Sequence, residues 1–251
     1  EEKLPLSSRD IEGLLGQSRL VQKLTTDYRE HPLFAVFRLV GLSEIPHVEK
    51  LPYTQKLLGY VDRQIATTEG FSCLGGEKEL VPCYNAMLLE AYCRLGLAAS
   101  PQAQASLRWI KRYQLFGRNQ TTAWPHGGVC KHGGCLGAVP CYIGIGKTVR
   151  ALISYSEFAQ QPDAEVEERI GLGEEYMLQH QLYRRLSNGR PISPHITDIM
   201  MPQSYALSLT DLVYITGKGK LQQQPNAAPL LALLKEKEVG SSQWKIDYLY
   251  A

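Results

Sequence analysis

The sequence predicts an all-α protein, an α/α toroid that is partial and has about four inner/outer helical hairpins. The four residues VPCY at 81–84 return at 139–142, 58 residues later, and each copy opens an apolar run of helical character. Similar runs follow Pro32 and Pro202, so the four prolines are 50, 58 and 62 residues apart. The alternation of apolar and polar residues that is typical of strands is scarce.

The prolines mark the predicted inner helices, which we expect to start near Pro32, Pro82, Pro140 and Pro202. Proline is tolerated in the first turn of a helix because the N–H that it lacks has no helical partner there. The run AMLLEAY at 86–92 is apolar nearly all round, so this helix should be buried on most sides. Three of the four runs end on a glycine, a common helix C-terminal signal.

A second, more amphipathic helix follows each inner one and should lie outside. We expect these outer helices near residues 53–66, 101–116, 163–186 and 226–238, and a further N-terminal helix near 8–29. Ser100 precedes Pro101 as the N-cap of one of them. A period of 50–60 residues is longer than the 34–47 of common α-solenoids, which favours a toroid.

Composition supports a single globular domain over residues 1–251. The chain has 27 basic and 25 acidic residues, a net charge of +2, and 44% hydrophobic residues. These values are unlike those of a disordered chain. They provide no broad positive field for nucleic acid, so we expect no nucleic-acid partner. No apolar run is long enough to predict a transmembrane segment, and the N-terminal EEKLP is unlike a signal peptide.

The turns before the inner helices carry a family resemblance. GFSC at 70–73, AWP at 123–125 and GSSQW at 240–244 look like the Gly-x-Trp turn of squalene/terpene cyclases and of protein prenyltransferase β-subunits. The resemblance covers about residues 30–250 and implies an enzyme that acts on an apolar, isoprenoid-type substrate in a central cavity. Full toroids of that family have more hairpins, so it also implies a missing C-terminal repeat or a partner that closes the toroid. The acidic Asp-Asp cluster and the Asp-x-Cys zinc pair of the family are not found in this sequence.

Cysteines gather before the second and third inner helices. Adjacent repeats should place these loops side by side on one face, so that their sulfur atoms converge near two histidines. The candidate metal ligands are Cys73, Cys83, Cys130, Cys135, Cys141, His126 and His132.

Three interpretations of this group stay open. Thiolates and imidazoles could hold a tetrahedral Zn²⁺, the one cofactor that the sequence suggests. The cysteines could instead form disulfides, as in exported proteins. They could also be reduced, buried thiols that repeat duplication copied. A cytoplasmic location would follow from reduced or metal-bound cysteines, and the sequence assigns no location otherwise. Cys93 lies within a helix and is expected in the core.

Other candidates are catalytic and substrate-binding residues. His195 and Asp198 precede the fourth inner helix and could act as a general acid/base pair, although such residues often cap helices. Tyr84, Tyr142 and Tyr205 could line an apolar pocket and stabilise cations, or simply pack in the core. Lys131 could bind an anionic head group beside the glycine-rich GGCLG at 133–137, together with His132 and Lys147. That loop could equally need glycine only to turn.

Two function hypotheses of different classes follow. The first is an enzyme of transferase or cyclase/lyase type, which binds an apolar small molecule centrally with its polar head at one mouth. The second is a non-catalytic binding or scaffold module with a structural Zn or disulfide cluster. A deep apolar cavity would favour the enzyme, and a filled centre would favour the module. A cysteine- or zinc-dependent lyase or hydrolase is a third hypothesis, because α/α toroids also host sugar-processing enzymes.

Overall fold

The fold is mostly helical, which confirms the all-α prediction. The computed structural model describes residues 8–126, 135–159 and 161–249. In these ranges the helices are α1 (Ser8–Gln17), α2 (Arg19–Thr25), α3 (Pro32–Ser43), α4 (Pro52–Gln64), α5 (Pro82–Arg94), α6 (Pro101–Tyr113), α7 (Tyr142–Phe158), α8 (Ala164–Gln179), α9 (Leu209–Lys218) and α10 (Ala228–Glu236).

The helices pack as a series of hairpins. Helices α3, α5 and α7 each contact the helix that follows them, α4, α6 and α8. The inner helices α3, α5, α7 and α9 also contact one another in chain order, with α5 and α7 forming the most extensive pair. The proline period therefore corresponds to a repeated pair of helices. A closed toroid does not follow from these contacts alone.

Two inner helices begin where the prolines predict. Pro32 and Pro82 occupy the first positions of α3 and α5, and α7 begins at Tyr142, just after Pro140. The predicted start near Pro202 is wrong, because α9 begins at Leu209.

A capping box explains the late start of α9. The Ser208 hydroxyl accepts the backbone N–H of Asp211, and the Asp211 carboxylate accepts the backbone N–H of Ser208. This reciprocal arrangement satisfies two N–H groups at the end of the helix. The residues between Pro202 and Ser208 are thereby left outside the helix.

The non-helical segment 202–207 runs between the inner helices. Pro202 lies against Gly41 of α3, where an added Cβ would be 3.0 Å from its ring. Leu207 is fully buried against Gly146 of α7, where an added Cβ would lie 2.6 Å from its side chain. The segment therefore occupies space that an open toroid would leave as a cavity.

The outer helices differ from prediction at their ends. The predicted N-terminal helix is interrupted at Ser18, whose hydroxyl caps α2 by accepting from Val21 N. Ser100 caps α6 as predicted. Helix α8 ends at Gln179 rather than near residue 186, because Gln181 and Leu182 have positive φ angles of 47° and 68°.

Short strands hold the C-terminal part of the described chain. Strands β2 (Glu238–Gly240) and β3 (Gln243–Trp244) form an antiparallel hairpin, so the GSSQW segment is not followed by another inner helix. Strand β1 (Met200–Met201) pairs in parallel with β4 (Tyr248–Leu249), which places β4 beside the segment that leads to α9. No helix in the described ranges has both the length and the apolar character to cross a membrane.

Candidate functional site at the helix starts

Four of the predicted cysteines come together at the starts of α5 and α7. An added Cβ on Gly144 of α7 would lie 3.0 Å from the Pro82 ring of α5, so the two helix starts are in close contact. Cys73 and Cys135 are buried in this thiol cluster together with Val81. Cys83 and Cys141 are partly buried and pack against them. The expected convergence is thus found for these four. Cys130, Lys131 and His132 lie outside the described residues.

Burial holds two thiols of this cluster, Cys73 and Cys83, in the neutral form. Burial raises the pKa of Cys73 to about 11, and its Sγ donates to the Glu79 carbonyl at 3.1 Å. Burial, with the neighbouring thiols of Cys141 and Cys135, raises the pKa of Cys83 still further. Because the thiolate is the nucleophile, Cys73 and Cys83 are poorly prepared for nucleophilic chemistry at neutral pH. Cys93 is fully buried in α5, as predicted, and burial raises its pKa to about 12.

The described donors do not fit a metal site. Within the ranges that the structure describes, no group of three or more histidine, cysteine or acidic side chains is arranged to hold a metal ion. Among the described residues, Cys73, Cys83, Cys93 and Cys141 are free cysteines. The His126 ring instead packs edge-on against Trp124, with 5.3 Å between centroids. A zinc site therefore stays a prediction.

Aromatic side chains border the thiol cluster. Phe37 of α3 lies 5.9 Å from the Tyr84 ring and 6.3 Å from the Tyr205 ring, so it links two of the tyrosines predicted to bind substrate. Tyr84 and Leu33 also pack against the thiols. Tyr205 is 46% exposed, and the other three are partly exposed. We call Leu33, Phe37, Tyr84 and Tyr205 together with Cys83 and Cys141 the helix-start surface.

Tyr142 does not belong to this surface. It is buried, its hydroxyl donates to the Leu182 carbonyl at 2.7 Å, and its ring packs against Tyr176 and His180. These contacts place it in the packing between α7 and α8. Its expected grouping with the other two tyrosines is therefore wrong.

His195 and Asp198 form the predicted pair. Nδ1 of His195 lies 2.8 Å from Oδ2 of Asp198, and both side chains are partly exposed. The Asp198 carbonyl accepts the N–H of Leu209, which ties the pair to the start of α9. The Tyr248 ring of β4 lies 4.8 Å from the imidazole. A carboxylate on Nδ1 orients the ring and leaves Nε2 as the atom that exchanges protons, an arrangement suited to acid/base chemistry.

A buried ionic network, not predicted from the sequence, lies at the centre of the inner helices. Arg150 of α7 lies 2.9 Å from Glu90 of α5, 2.7 Å from Asp211 of α9 and 2.7 Å from Glu44, which follows α3. Lys147 is paired with Asp211 at 2.9 Å. The side chains of Lys147, Arg150, Glu90 and Asp211 are at most 4% exposed.

Gln203 joins this network to the segment before α9. Its backbone N–H donates to Glu44 at 3.0 Å, and its side-chain carbonyl accepts from Lys147 at 3.2 Å. Its side-chain N–H₂ also faces Glu90 at 3.4 Å. Segment 202–207 is therefore held in the centre by hydrogen bonds to charged groups as well as by packing.

The network is close to charge balance. Glu44, Glu90 and Asp211 face the cations of Arg150, Lys147 and Arg94. Burial opposes ionisation of Glu90 and Asp211, but the adjacent cations outweigh it and hold the pKa of both carboxyls below the ordinary value. Burial likewise disfavours charged Arg150, and the three carboxylates raise its pKa. Glu90, Asp211 and Arg150 are therefore ionised at neutral pH.

One sequence signal could have revealed this network. Glu90 and Arg150 each stand within a nearly apolar run, AMLLEAYC and KTVRALIS. A charge in a helix that is buried on most sides is normally paired. Lys147, which we expected to add charge beside the glycine-rich loop, is instead buried in the network.

No family model, no curated protein and no solved structure matches this chain. The resemblance to the terpene-cyclase and prenyltransferase repeat therefore remains a hypothesis drawn from the sequence.

Proposed function

We propose that this protein is a non-catalytic binding and scaffold module of helical-repeat type. One observation carries the proposal: the buried ionic network and segment 202–207 fill the middle of the inner helices. A filled, charged centre suits a scaffold, whereas an enzyme for an isoprenoid-type substrate needs an apolar chamber there.

The energetics argue against insertion of an apolar chain into this centre. An apolar substrate would have to displace Gln203 or separate Arg150 from its carboxylates. Breaking a buried ion pair by removing one partner costs about 3–5 kcal/mol, because the other charge is left without compensation. An isoprenoid tail would have to recover that cost before binding at all.

The helix-start surface is the binding face in this proposal. It presents partly exposed aromatic and aliphatic side chains beside the thiols of Cys83 and Cys141, and Tyr205 is 46% exposed. Aromatic groups with partial exposure provide apolar contact area without a deep chamber. We therefore expect weak binding of an apolar group at this surface.

One observation favours an enzyme as the second candidate. His195 and Asp198 are hydrogen-bonded in the manner of an oriented acid/base pair. An enzyme that uses this pair would act at the protein surface, since both side chains are partly exposed.

Titration with farnesol and with farnesyl diphosphate distinguishes the two candidates. A module should bind both with similar, weak affinity and release no diphosphate. Tyr205→Ala should weaken binding, whereas Phe158→Ala should not, because Phe158 is equally exposed at 47% but lies at the opposite end of its inner helix. Isothermal titration calorimetry and mass spectrometry of the products give both readouts.

Two results would overturn the proposal. Diphosphate release that His195→Gln abolishes would establish the enzyme. Farnesol binding that is absent, or that is identical in the two alanine variants, would remove the helix-start surface as a binding face.

A further inference from the structure

A pocket lies beside the start of α7 and the end of α8, and none of its lining residues belongs to the helix-start surface. It has a volume of about 560 Å³ and is lined by the rings of Tyr142, Tyr176 and His180 and by the side chains of Arg118 and Arg185. A volume of roughly 300–1,000 Å³ is usual for small-molecule sites. No carboxylate belongs to the described residues that line it.

His180 supplies an unused hydrogen-bond acceptor beside this pocket. The residue is 5% exposed, and its Nδ1 lies 2.9 Å from the Arg184 carbonyl. Since a carbonyl can only accept, Nδ1 carries the proton and Nε2 has the free lone pair. Nε2 is buried and has no hydrogen-bond partner within the described chain.

The imidazole is also kept neutral, which preserves this lone pair. Burial lowers the pKa of His180, and the charge of nearby Arg118 lowers it further against the opposing hydrogen bond to Arg184. A buried acceptor that is left unsatisfied costs about 1–3 kcal/mol. A ligand that donates a hydrogen bond to Nε2 would recover part of that cost.

The arginines supply the complementary charge at the pocket rim. Arg185 donates to the Ile192 carbonyl at 3.1 Å, which leaves other guanidinium N–H groups available. Arg118 is exposed and makes no ion pair with a described residue. Guanidinium groups bind carboxylate and phosphate with paired hydrogen bonds.

We propose that this pocket binds a small anionic hydroxyaryl ligand. Its anion contacts Arg118 and Arg185, its ring packs on the Tyr142 and Tyr176 side, and its hydroxyl donates to Nε2 of His180. This site is independent of the helix-start surface and of the function proposed for it.

Three related probes separate the contributions of the anion and the hydroxyl. The probe 6-hydroxy-2-naphthoate carries both groups, 2-naphthoate lacks the hydroxyl and 2-naphthol lacks the anion. Calorimetric titration of the full chain should give the first the lowest Kd. Removal of either group should raise Kd about tenfold, the typical effect of one lost charge-assisted or buried hydrogen bond.

Variants assign these effects to residues. Arg118→Gln should raise Kd for 6-hydroxy-2-naphthoate about tenfold, whereas Arg108→Gln, at an exposed arginine on α6, should leave it unchanged. His180→Asn should abolish the preference for the hydroxylated probe. Because this buried variant could lose its fold, ligand-induced shifts of the His180 ring protons in the wild-type protein provide a second measurement.

The outcomes decide the proposal either way. Binding of 6-hydroxy-2-naphthoate that does not saturate below about 5 mM would overturn it. Equal affinity in the two arginine variants, equal affinity for the three probes, or His180 protons that do not respond would overturn it as well.

Discussion

Replacement of Arg150 by methionine removes one cation from the centre of the protein while keeping most of the side-chain volume. The wild-type guanidinium contacts three carboxylates at 2.7–2.9 Å. In Arg150→Met, only Lys147 and Arg94 remain to compensate them, so one negative charge is left without a partner.

The expected loss follows from that imbalance. Removing one partner of a buried ion pair costs about 3–5 kcal/mol. A domain has only about 5–15 kcal/mol of total stability, so the loss is a large fraction of it. For a chain of this size the midpoint of thermal unfolding should fall by roughly 6–20 °C.

The loss should also depend on pH. In the wild type the pKa of Glu90 is lowered, so its contribution is present above the unfolded-state pKa and is lost as the pH falls. In Arg150→Met, burial dominates and should raise that pKa, so protonation relieves the unpaired charge. The difference from wild type should therefore be larger at pH 7.5 than at pH 5.

Urea unfolding followed by circular dichroism at the two pH values measures both effects. Arg169→Met is the matched control, because Arg169 pairs with Glu165 on the exposed face of α8 and should contribute about 0.5 kcal/mol or less. A double-mutant cycle with Glu90→Gln should show coupling, since the two side chains are in contact. A loss at pH 7.5 no larger than that of the control would refute the ionic-centre argument.

Three further predictions concern other parts of the molecule. Gly173→Ala should destabilise the protein by about 1–3 kcal/mol, because the new Cβ would lie 2.2 Å from a valine of α7. Gly171→Ala on the same helix has open space and should stabilise the protein by about 0.5–1 kcal/mol. Urea denaturation measures both variants, and a Gly173→Ala protein more stable than Gly171→Ala would contradict the packing. Burial raises the pKa of Glu174 to about 7, so its ionisation destabilises the folded state as the pH rises above the unfolded-state pKa of about 4.3. Glu174→Gln should therefore raise the unfolding temperature at pH 8 but not at pH 4. Glu175→Gln, at an exposed position, is the control, and an equal effect of Glu174→Gln at both pH values would argue against the raised pKa. Burial raises the pKa of the Cys73, Cys83 and Cys93 thiols, so these three should react slowly with Ellman's reagent at pH 8 and readily in denaturant; fast reaction of all three in the folded protein would contradict their burial, and about one zinc per chain by mass spectrometry would support the zinc prediction.

Much of the architecture was readable from local sequence signals. Prolines at 32 and 82 predicted helix starts because proline suits only the first turn, and Ser100 predicted a cap. The cysteine positions predicted convergence because equivalent loops of neighbouring repeats lie side by side. These features depend on short stretches of chain and on the repeat period.

The candidate sites were predicted less completely. The His195–Asp198 pair could be predicted from the sequence because its two residues are only three positions apart. The pocket beside His180 could not be predicted from the sequence, since it depends on side chains from four chain segments and on which ring nitrogen of His180 remains unpaired.

Only the tertiary structure decided what occupies the centre. Glu44, Glu90, Arg150 and Asp211 are separated by up to 167 positions, and their pairing depends on the order in which the inner helices pack. The path of segment 202–207 depends on whether α9 begins at Pro202 or at the capping box of Ser208, six residues later. Helix starts are set by neighbouring residues, so they could be predicted from short stretches of sequence. The filling of the core is set by contacts between residues that are distant in the chain, and no local pattern in a single sequence encodes those contacts.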